Sequence, residues 1–263
     1  MTCPKEFLAV AQTAADLAGG MLRERFRRPV RVEDKADGSP VTEVDRAVEA
    51  ALRDLLRRRL PEQGVIGEEF PAERAGAEFV WIIDPLDGTK DFLLGLPLFG
   101  CLIALAHQGE IVLGLADQPV TRDRWLGAAG HGTTLNGAPA RTRACPTLAA
   151  AQASTMGYDT FCRQAAPHLQ PLRRTCAGLV TADSFYVFGL LASGHVDLVA
   201  SAGFALHDYA ALDAIVRNAG GAMTDWQGQR LGLHSDGSVL AVGDAALLAP
   251  AMALLAGGTA DGA

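Results

Sequence analysis

Residues 99 to 119, "FGCLIALAHQGEIVLGLADQP", hold two apolar runs that meet at Gln108-Gly109-Glu110. Two strand-like runs joined by so short a polar break read as a β-hairpin. A hairpin commits this part of the chain to antiparallel pairing, because parallel neighbours need a long crossover between them. The flanking segments extend the pattern: "GVIGEEF" from residue 64, "FVWIID" from 79 and "RWLGAAGHGTTLNGAP" from 124, the last with Asn136-Gly137 as a tight-turn signal. Residues 64 to 135 are therefore expected to form antiparallel sheet.

Helical periodicity precedes this block at residues 5 to 26 and 43 to 60. In the second helix Val44, Ala47, Val48, Ala51, Leu52, Leu55 and Leu56 make one apolar stripe, and Pro61 ends it. After the block come a helix near 183 to 193, a strand at "HVDLVA", a helix at 208 to 219, strands at "AMTDW" and "VLAVG", and a last helix rich in alanine and leucine. The expected class is mixed α/β, a layered sandwich. Weak periodicity between about 140 and 180 sets an expected division into an N-terminal half, 1–140, and a C-terminal half, 141–263, with a frayed tail after residue 256.

A chain of 263 residues, 49% apolar, can bury a large core. Its net charge of −7 argues against nucleic acid or an anionic membrane as partner. The run Arg57-Arg58-Arg59 ends the second helix, where cations suit the helix dipole. Cys3, Cys101, Cys145, Cys162 and Cys176 are odd in number and scattered, which predicts reduced thiols and a cytoplasmic location rather than a disulfide framework. No apolar run approaches the ~20 residues that span a bilayer.

Chemistry concentrates where strands end. In Asp84-Pro85-Leu86-Asp87-Gly88-Thr89, Asp84 leaves the carboxyl end of an apolar strand, and Pro85 is expected to turn the chain there instead of continuing the ladder. Such a turn lets both carboxylates and the Leu86 carbonyl face one point, a set of hard oxygen donors that suits Mg²⁺. Gly88 and Thr89 would then offer backbone N–H groups to a phosphate at the start of a short helix. The same hexapeptide also suits an ordinary turn.

Further acids repeat this placement. Glu68 and Glu69 follow the apolar "VIG", although adjacent glutamates also suit a solvated surface. Thr42 is the expected N-cap of the helix carrying Asp45, and Asp208 opens a later helix, where capping is an alternative role. Carboxylates that converge without compensation repel one another and raise their pKa values, a conflict that divalent cations remove. Two Mg²⁺ ions roughly 3.5–4 Å apart would clamp a phosphate for in-line displacement.

With those residues in view, "VTEVDR", "IGEE", "WIIDPLDGT" and "HDYAAL…NAGGAMTDWQG" closely resemble the inositol monophosphatase-like family of Mg²⁺-dependent phosphomonoesterases, in the expected order and over nearly the whole chain. The resemblance implies a five-layered αβαβα sandwich and a homodimer. It implies that Glu68, Asp84, the Leu86 carbonyl and Asp87 hold metal, with Asp208 joining Asp84 and Asp87 at a second Mg²⁺. Glu69, Asp45 and Thr89 would position or activate the attacking water, with Asp45 within reach of a third, weakly held ion. Gly88, Thr89 and Asp87 would meet the phosphate. Lys35, in the loop "KADGSPVTEVD", could approach metal or phosphate on closure, or stand solvated. The implied reaction is direct attack of activated water on phosphorus, without a phosphoenzyme.

The resemblance implies a small phosphorylated metabolite as substrate. The Asp117-Gln118-Pro119 and Arg124-Trp125-Leu126-Gly127 segments, with "LLASGHVDLV" and "LHSDGSVLAVGD", resemble the histidinol-phosphate phosphatase branch of the family, which acts in histidine biosynthesis. An inositol-1-phosphate or other polyol monophosphatase is the alternative, and a noncatalytic metal- or metabolite-binding relative a remote one. Two departures touch the substrate side. Asp183-Ser184-Phe185-Tyr186 stands where the branch reads Gly-Asp-Cys-Tyr, one residue out of step, and His207 occupies a position that is commonly aromatic. Asp183 could pair with a substrate amine or imidazolium, or cap a helix. His207 could contact substrate or simply pack.

Overall fold

The computed structural model describes residues 2–35, 38–155, 160–182 and 184–256, so Asp183 and the tail after residue 256 lie outside the described residues. In chain order the elements are α1 (Lys5–Arg25), β1 (Val32–Asp34), β2 (Pro40–Thr42), α2 (Glu43–Arg59), β3 (Gly64–Gly67), β4 (Phe79–Asp87), α3 (Thr89–Leu94), β5 (Gly100–His107), β6 (Glu110–Gln118), β7 (Asp123–Ala128), β8 (Gly132–Leu135) and β9 (Ala138–Ala140). There follow β10 (Gln152–Thr155), α4 (Thr160–Thr175), β11 (Gly178–Thr181), α5 (Tyr186–Ala192), β12 (Leu198–Ser201), α6 (Leu206–Asn218), β13 (Ala222–Thr224), β14 (Val239–Val242) and α7 (Leu248–Ala256).

These elements stack in five layers. α1 and α2 pack together and cover β4, β5 and β6. Strands β3 to β9 form a seven-stranded sheet in sequence order, antiparallel except for β3 beside β4. α5 and α6 lie on its other face and touch the second sheet through β12 and β13. That sheet has the order β11-β10-β12-β14-β13, with β10 parallel to both of its neighbours. α4 and α7 cover its far side. The architecture is the expected αβαβα sandwich.

Burial on both faces follows from the apolar density of the central strands. On β4, Trp81 and Ile83 join Phe7, Leu22 and Leu52 beneath α1 and α2, while Ile82 joins Phe188, Tyr209 and Ile215 beneath α5 and α6. α6 approaches the sheet closely because the strands beneath it carry glycine. A Cβ added at Gly114 would lie 2.0 Å from the Ala211 carbonyl oxygen, and one at Gly127 would lie 2.6 Å from the Ile215 Cα.

The weakly periodic stretch between 140 and 180 contains β10, α4 and β11. The two strands have four residues each, too few for a period to show, and Pro167 and Pro171 fall inside α4, where they read as breakers. The chain passes from the first sheet to the second between Ala140 and Gln152. Among the described residues no helix is long and apolar enough to cross a membrane.

Candidate active site

In an unbroken strand, residues three apart face opposite sides of the sheet. Asp84 and Asp87 nevertheless meet, because β4 carries a bulge. Asp84 pairs with Leu102 and Asp87 with Gly100, so three steps on β4 match two on β5. The ladder resumes at Asp87 instead of ending at Pro85, which corrects the expectation that Pro85 would terminate it. Pro85 offers no N–H, so it fits the position where the ladder skips. Within the bulge the Leu86 N–H donates to Asp84 Oδ1 at 3.0 Å, and Leu86 is buried beneath α1 and α2. The extra residue turns both carboxylates to the α6 side.

Asp208 reaches them from the first turn of α6. Its Oδ2 accepts the Ala205 N–H at 2.6 Å, so capping and convergence are fulfilled by the same side chain. Single carboxylate oxygens of Asp84, Asp87 and Asp208 lie within 4.8 Å of one another, as do donor atoms of Glu68, Asp84 and His207. Asp87 Oδ2 also faces the Phe185 N–H at 3.4 Å.

Such crowding shifts protonation. Burial foremost, then the charges of Glu68, Asp87 and Asp208, push the Asp84 carboxyl well above the usual range. Asp87 is pushed up to about 8 by burial and by Asp208. Asp208 is raised mainly by burial, with His207 opposing the shift.

Glu68 and Glu69 follow β3 and are not a solvated pair. Lys35 Nζ, expected either to approach metal or phosphate on closure or to stand solvated, donates to Glu68 Oε1 at 2.5 Å and to Glu69 Oε1 at 2.7 Å. The β1–β2 hairpin presents it: the Lys35 N–H donates to the Ser39 carbonyl, and the Gly38 N–H to the Lys35 carbonyl. Two hydrogen bonds outweigh burial, so the ammonium pKa rises. Burial is the main cause of a raised Glu69 carboxyl, against the Lys35 hydrogen bond.

Thr42 caps α2, and Asp45 completes a capping box: its Oδ2 accepts the Thr42 N–H at 2.9 Å and the Thr42 hydroxyl at 2.5 Å. Its other oxygen, Oδ1, lies 3.0 Å from Thr89 Oγ1. Burial raises the Asp45 carboxyl despite these donors. Thr89 opens α3, and its hydroxyl also lies 3.1 Å from the Leu86 carbonyl oxygen. Gly88 precedes it at φ 81°, in the left-handed region that glycine enters without strain, and a Cβ there would lie 3.2 Å from the Phe99 Cα.

The fold thus assembles Lys35, Asp45, Glu68, Glu69, Asp84, Asp87, Gly88, Thr89 and Asp208 around one end of β4. Sequence reasoning missed Glu49. This carboxylate is fully buried on α2, accepts the Glu69 N–H at 2.7 Å and the Phe70 N–H at 3.3 Å, and pairs with Arg53 Nε at 2.7 Å. An i, i+4 Glu–Arg spacing beside the apolar stripe of α2 was the available signal.

The chain matches the model of the inositol monophosphatase family over residues 4–258. It is 38% identical over 237 residues to the bifunctional phosphatase IMPL2 of Arabidopsis thaliana, covering 89% of this chain and 68% of that one. It is 35% identical over 228 residues to a histidinol-phosphatase of Mycobacterium tuberculosis, covering 84% and 88% of the two chains. The solved structure of an inositol monophosphatase from Zymomonas mobilis superposes with a TM-score of 0.87 at 37% identity, covering 97% of this chain and all of that one. With its fold, its converging carboxylates and its whole length in agreement, the chain belongs to the inositol monophosphatase family of phosphatases.

Proposed function

We propose that this chain is a Mg²⁺-dependent phosphomonoesterase whose substrate is L-histidinol phosphate, with a place in histidine biosynthesis. The observation that carries the hydrolase reading is the convergence of Asp84 with Asp87 and Asp208 on one side and with Glu68 on the other, within a few ångströms, where burial and neighbouring charge raise the three aspartate carboxyls and a cation would offset the crowding. The donor set fits Mg²⁺, which prefers carboxylate and carbonyl oxygen. Lys35 supports this fit, since its ammonium already bridges Glu68 and Glu69 where positive charge is demanded. A solved neighbour of the same fold, 17% identical, is described as complexed with Mg²⁺ and phosphate. In the proposed assignment Glu68, Asp84, the Leu86 carbonyl, Asp87 and Asp208 hold the ions, which when bound neutralise the phosphate, activate water and stabilise the leaving oxygen.

The protein's own groups then handle the proton. The Thr89 hydroxyl has one hydrogen and two acceptors, Asp45 Oδ1 and the Leu86 carbonyl. Donation to Asp45 leaves the Thr89 oxygen free to take a proton from an attacking water. Asp45 suits this task, because burial makes it a better base than an exposed aspartate. Glu69, likewise raised, is the second candidate base. The Gly88 and Thr89 N–H groups begin α3 without partners inside that helix, and so are available to orient phosphate oxygens.

The substrate assignment is supported by the histidinol-phosphatase relatives and by the segments named above. The Zymomonas mobilis neighbour favours a second reading, an inositol monophosphatase with the same metal residues and different pocket contacts. A homodimer belongs to the proposal too, and the exposed Leu93, Leu94, Leu96 and Leu98 on one stretch support it.

Phosphate release from L-histidinol phosphate and inositol 1-phosphate, each with Mg²⁺ and with chelator, tests the reading. We expect Mg²⁺-dependent release favouring histidinol phosphate, and a loss of about 100-fold or more in Asp84→Asn. A preference for inositol phosphate transfers the assignment to the second reading. Release that ignores chelator and Asp84→Asn overturns the metal-dependent mechanism.

A further inference from the structure

His207 sits among the acids yet is not one of them. It precedes Asp208 in the first turn of α6 and places Nε2 4.0 Å from Glu68 Oε1 and 3.5 Å from Asp208 Oδ1. Among the described residues no hydrogen bond holds either of its ring nitrogens, whereas a histidine that merely packs is normally held by one. Its Nε2 and single oxygens of Glu68 and Asp84 form a group whose donor atoms all lie within 4.8 Å of one another. A cation ~2.1 Å from each of its ligands holds them ~3 Å apart at right angles and ~4.2 Å apart across the ion. The separation of 4.0 Å between Nε2 and Glu68 is therefore one that a single ion spans without rebuilding the backbone.

We propose that His207 Nε2 is a ligand of the cation held by Glu68 and Asp84, making that position a mixed nitrogen–oxygen site that favours first-row transition-metal cations, Mn²⁺ among them, over Mg²⁺. The inference rests on the metal site proposed above and adds to it the identity of one ligand and the selectivity that follows. Mg²⁺ binds oxygen donors and gains little from imidazole, whereas affinity for nitrogen rises from Mn²⁺ along the first-row series. Asp87 and Asp208 keep the neighbouring position all-oxygen, so the two positions differ in softness. On cation binding, Glu68 exchanges neutralisation by Lys35 for neutralisation by the ion.

The test uses the full chain, stripped with chelator and titrated with Mn²⁺ and with Mg²⁺ by calorimetry, together with pulsed electron paramagnetic resonance of bound Mn²⁺ to detect coupling to a directly bound imidazole nitrogen. We expect that coupling in the native chain and its loss in His207→Phe. Mn²⁺ affinity should fall at least ~10-fold in that variant while Mg²⁺ affinity moves less than ~3-fold. His207→Gln, which supplies an amide oxygen in similar space, should keep Mg²⁺ binding and also lose the coupling. Circular dichroism of all three chains verifies folding, and the two substitutions act as checks on each other. Bound Mn²⁺ without nitrogen coupling, coupling that survives both substitutions, or an unchanged Mn²⁺ to Mg²⁺ affinity ratio overturns the inference and leaves the metal site standing. Failure of the native chain to bind either ion overturns the metal site, and the inference with it.

Discussion

The buried carboxylate of Glu49 accepts the backbone N–H of Glu69 at 2.7 Å. The arrangement extends along the chain: Glu49 Oε1 meets the Phe70 N–H and Arg53 Nε, while Arg53 Nη2 donates to the Phe70 carbonyl and Nη1 to Glu73. Gly67 makes room for it, since a Cβ there would lie 2.0 Å from Glu49 Oε1. An ion pair inside the protein therefore grips the backbone that carries Glu68 and Glu69.

Removing half of that pair leaves Arg53, 5% exposed, with only the partly exposed Glu73 to offset its charge. Glu49→Ala should cost roughly 3–5 kcal/mol of stability, the usual penalty for stripping one partner from a buried pair. Glu49→Gln keeps an acceptor for the Glu69 N–H and should lose less. Urea unfolding of both variants checks the order, and equal losses would show that the backbone contact contributes nothing.

Protonation makes the metal-free protein sensitive to alkali. Folded Asp87 keeps its proton up to about 8, whereas its ordinary value is 3.8. Between those values the folded state binds more protons than the unfolded one, so stability falls as pH rises through the window. Melting of chelator-treated protein at about pH 5 and about pH 9 should show the lower Tm in alkali, and saturating Mg²⁺ should remove most of the difference. A metal-free Tm that rises with pH contradicts the placement of the three aspartates.

Thr89 separates chemistry from folding. Thr89→Val removes the hydroxyl between Asp45 and the Leu86 carbonyl without changing the size of the side chain much, and turnover should fall by roughly 100-fold or more with Tm nearly unchanged. Thr89→Ser restores the hydroxyl and should recover most of the rate. Steady-state kcat at saturating Mg²⁺ decides, and a fully active Thr89→Val would remove the hydroxyl from the proton path.

Packing at a distance from the acids should also reach them. Gly114→Ala drives a methyl group against the Ala211 carbonyl, 2.0 Å from where its Cβ would be built. Overpacking of this kind costs about 1–3 kcal/mol. Because α6 carries His207 and Asp208, the displaced helix should also weaken metal binding. Thermal melting and a Mg²⁺ titration measure the two effects, and a destabilised chain with native affinity would show that α6 yields without moving its first turn.

The architecture was readable where residues repeat with a period. The stripe on α2, the hairpin at Gln108-Gly109 and the acids at element ends all stand in the sequence, because amphipathicity and turn chemistry are local. What could not be read depends on partners far along the chain. Asp84 and Asp87 have opposite parity in a regular strand, and only pairing with β5 reveals the bulge that brings them together. Lys35 looks like any loop lysine until the β1–β2 hairpin delivers it to Glu68 and Glu69. Asp45 is named as a candidate by its position, yet its capping role and its reach to Thr89 Oγ1 require α2 and α3 to meet at one point. α4 was hidden by its own prolines.

The donors come from opposite ends of the synthesis of this chain. Glu68, Asp84 and Asp87 emerge early on the first sheet, while His207 and Asp208 arrive with α6, which must already be seated between the two sheets. A nascent N-terminal half accordingly displays a surplus of negative charge and only part of a coordination sphere. In the proposed assignment, cation capture waits for α6, and a held ion would tie the early sheet to the later helix packed on it.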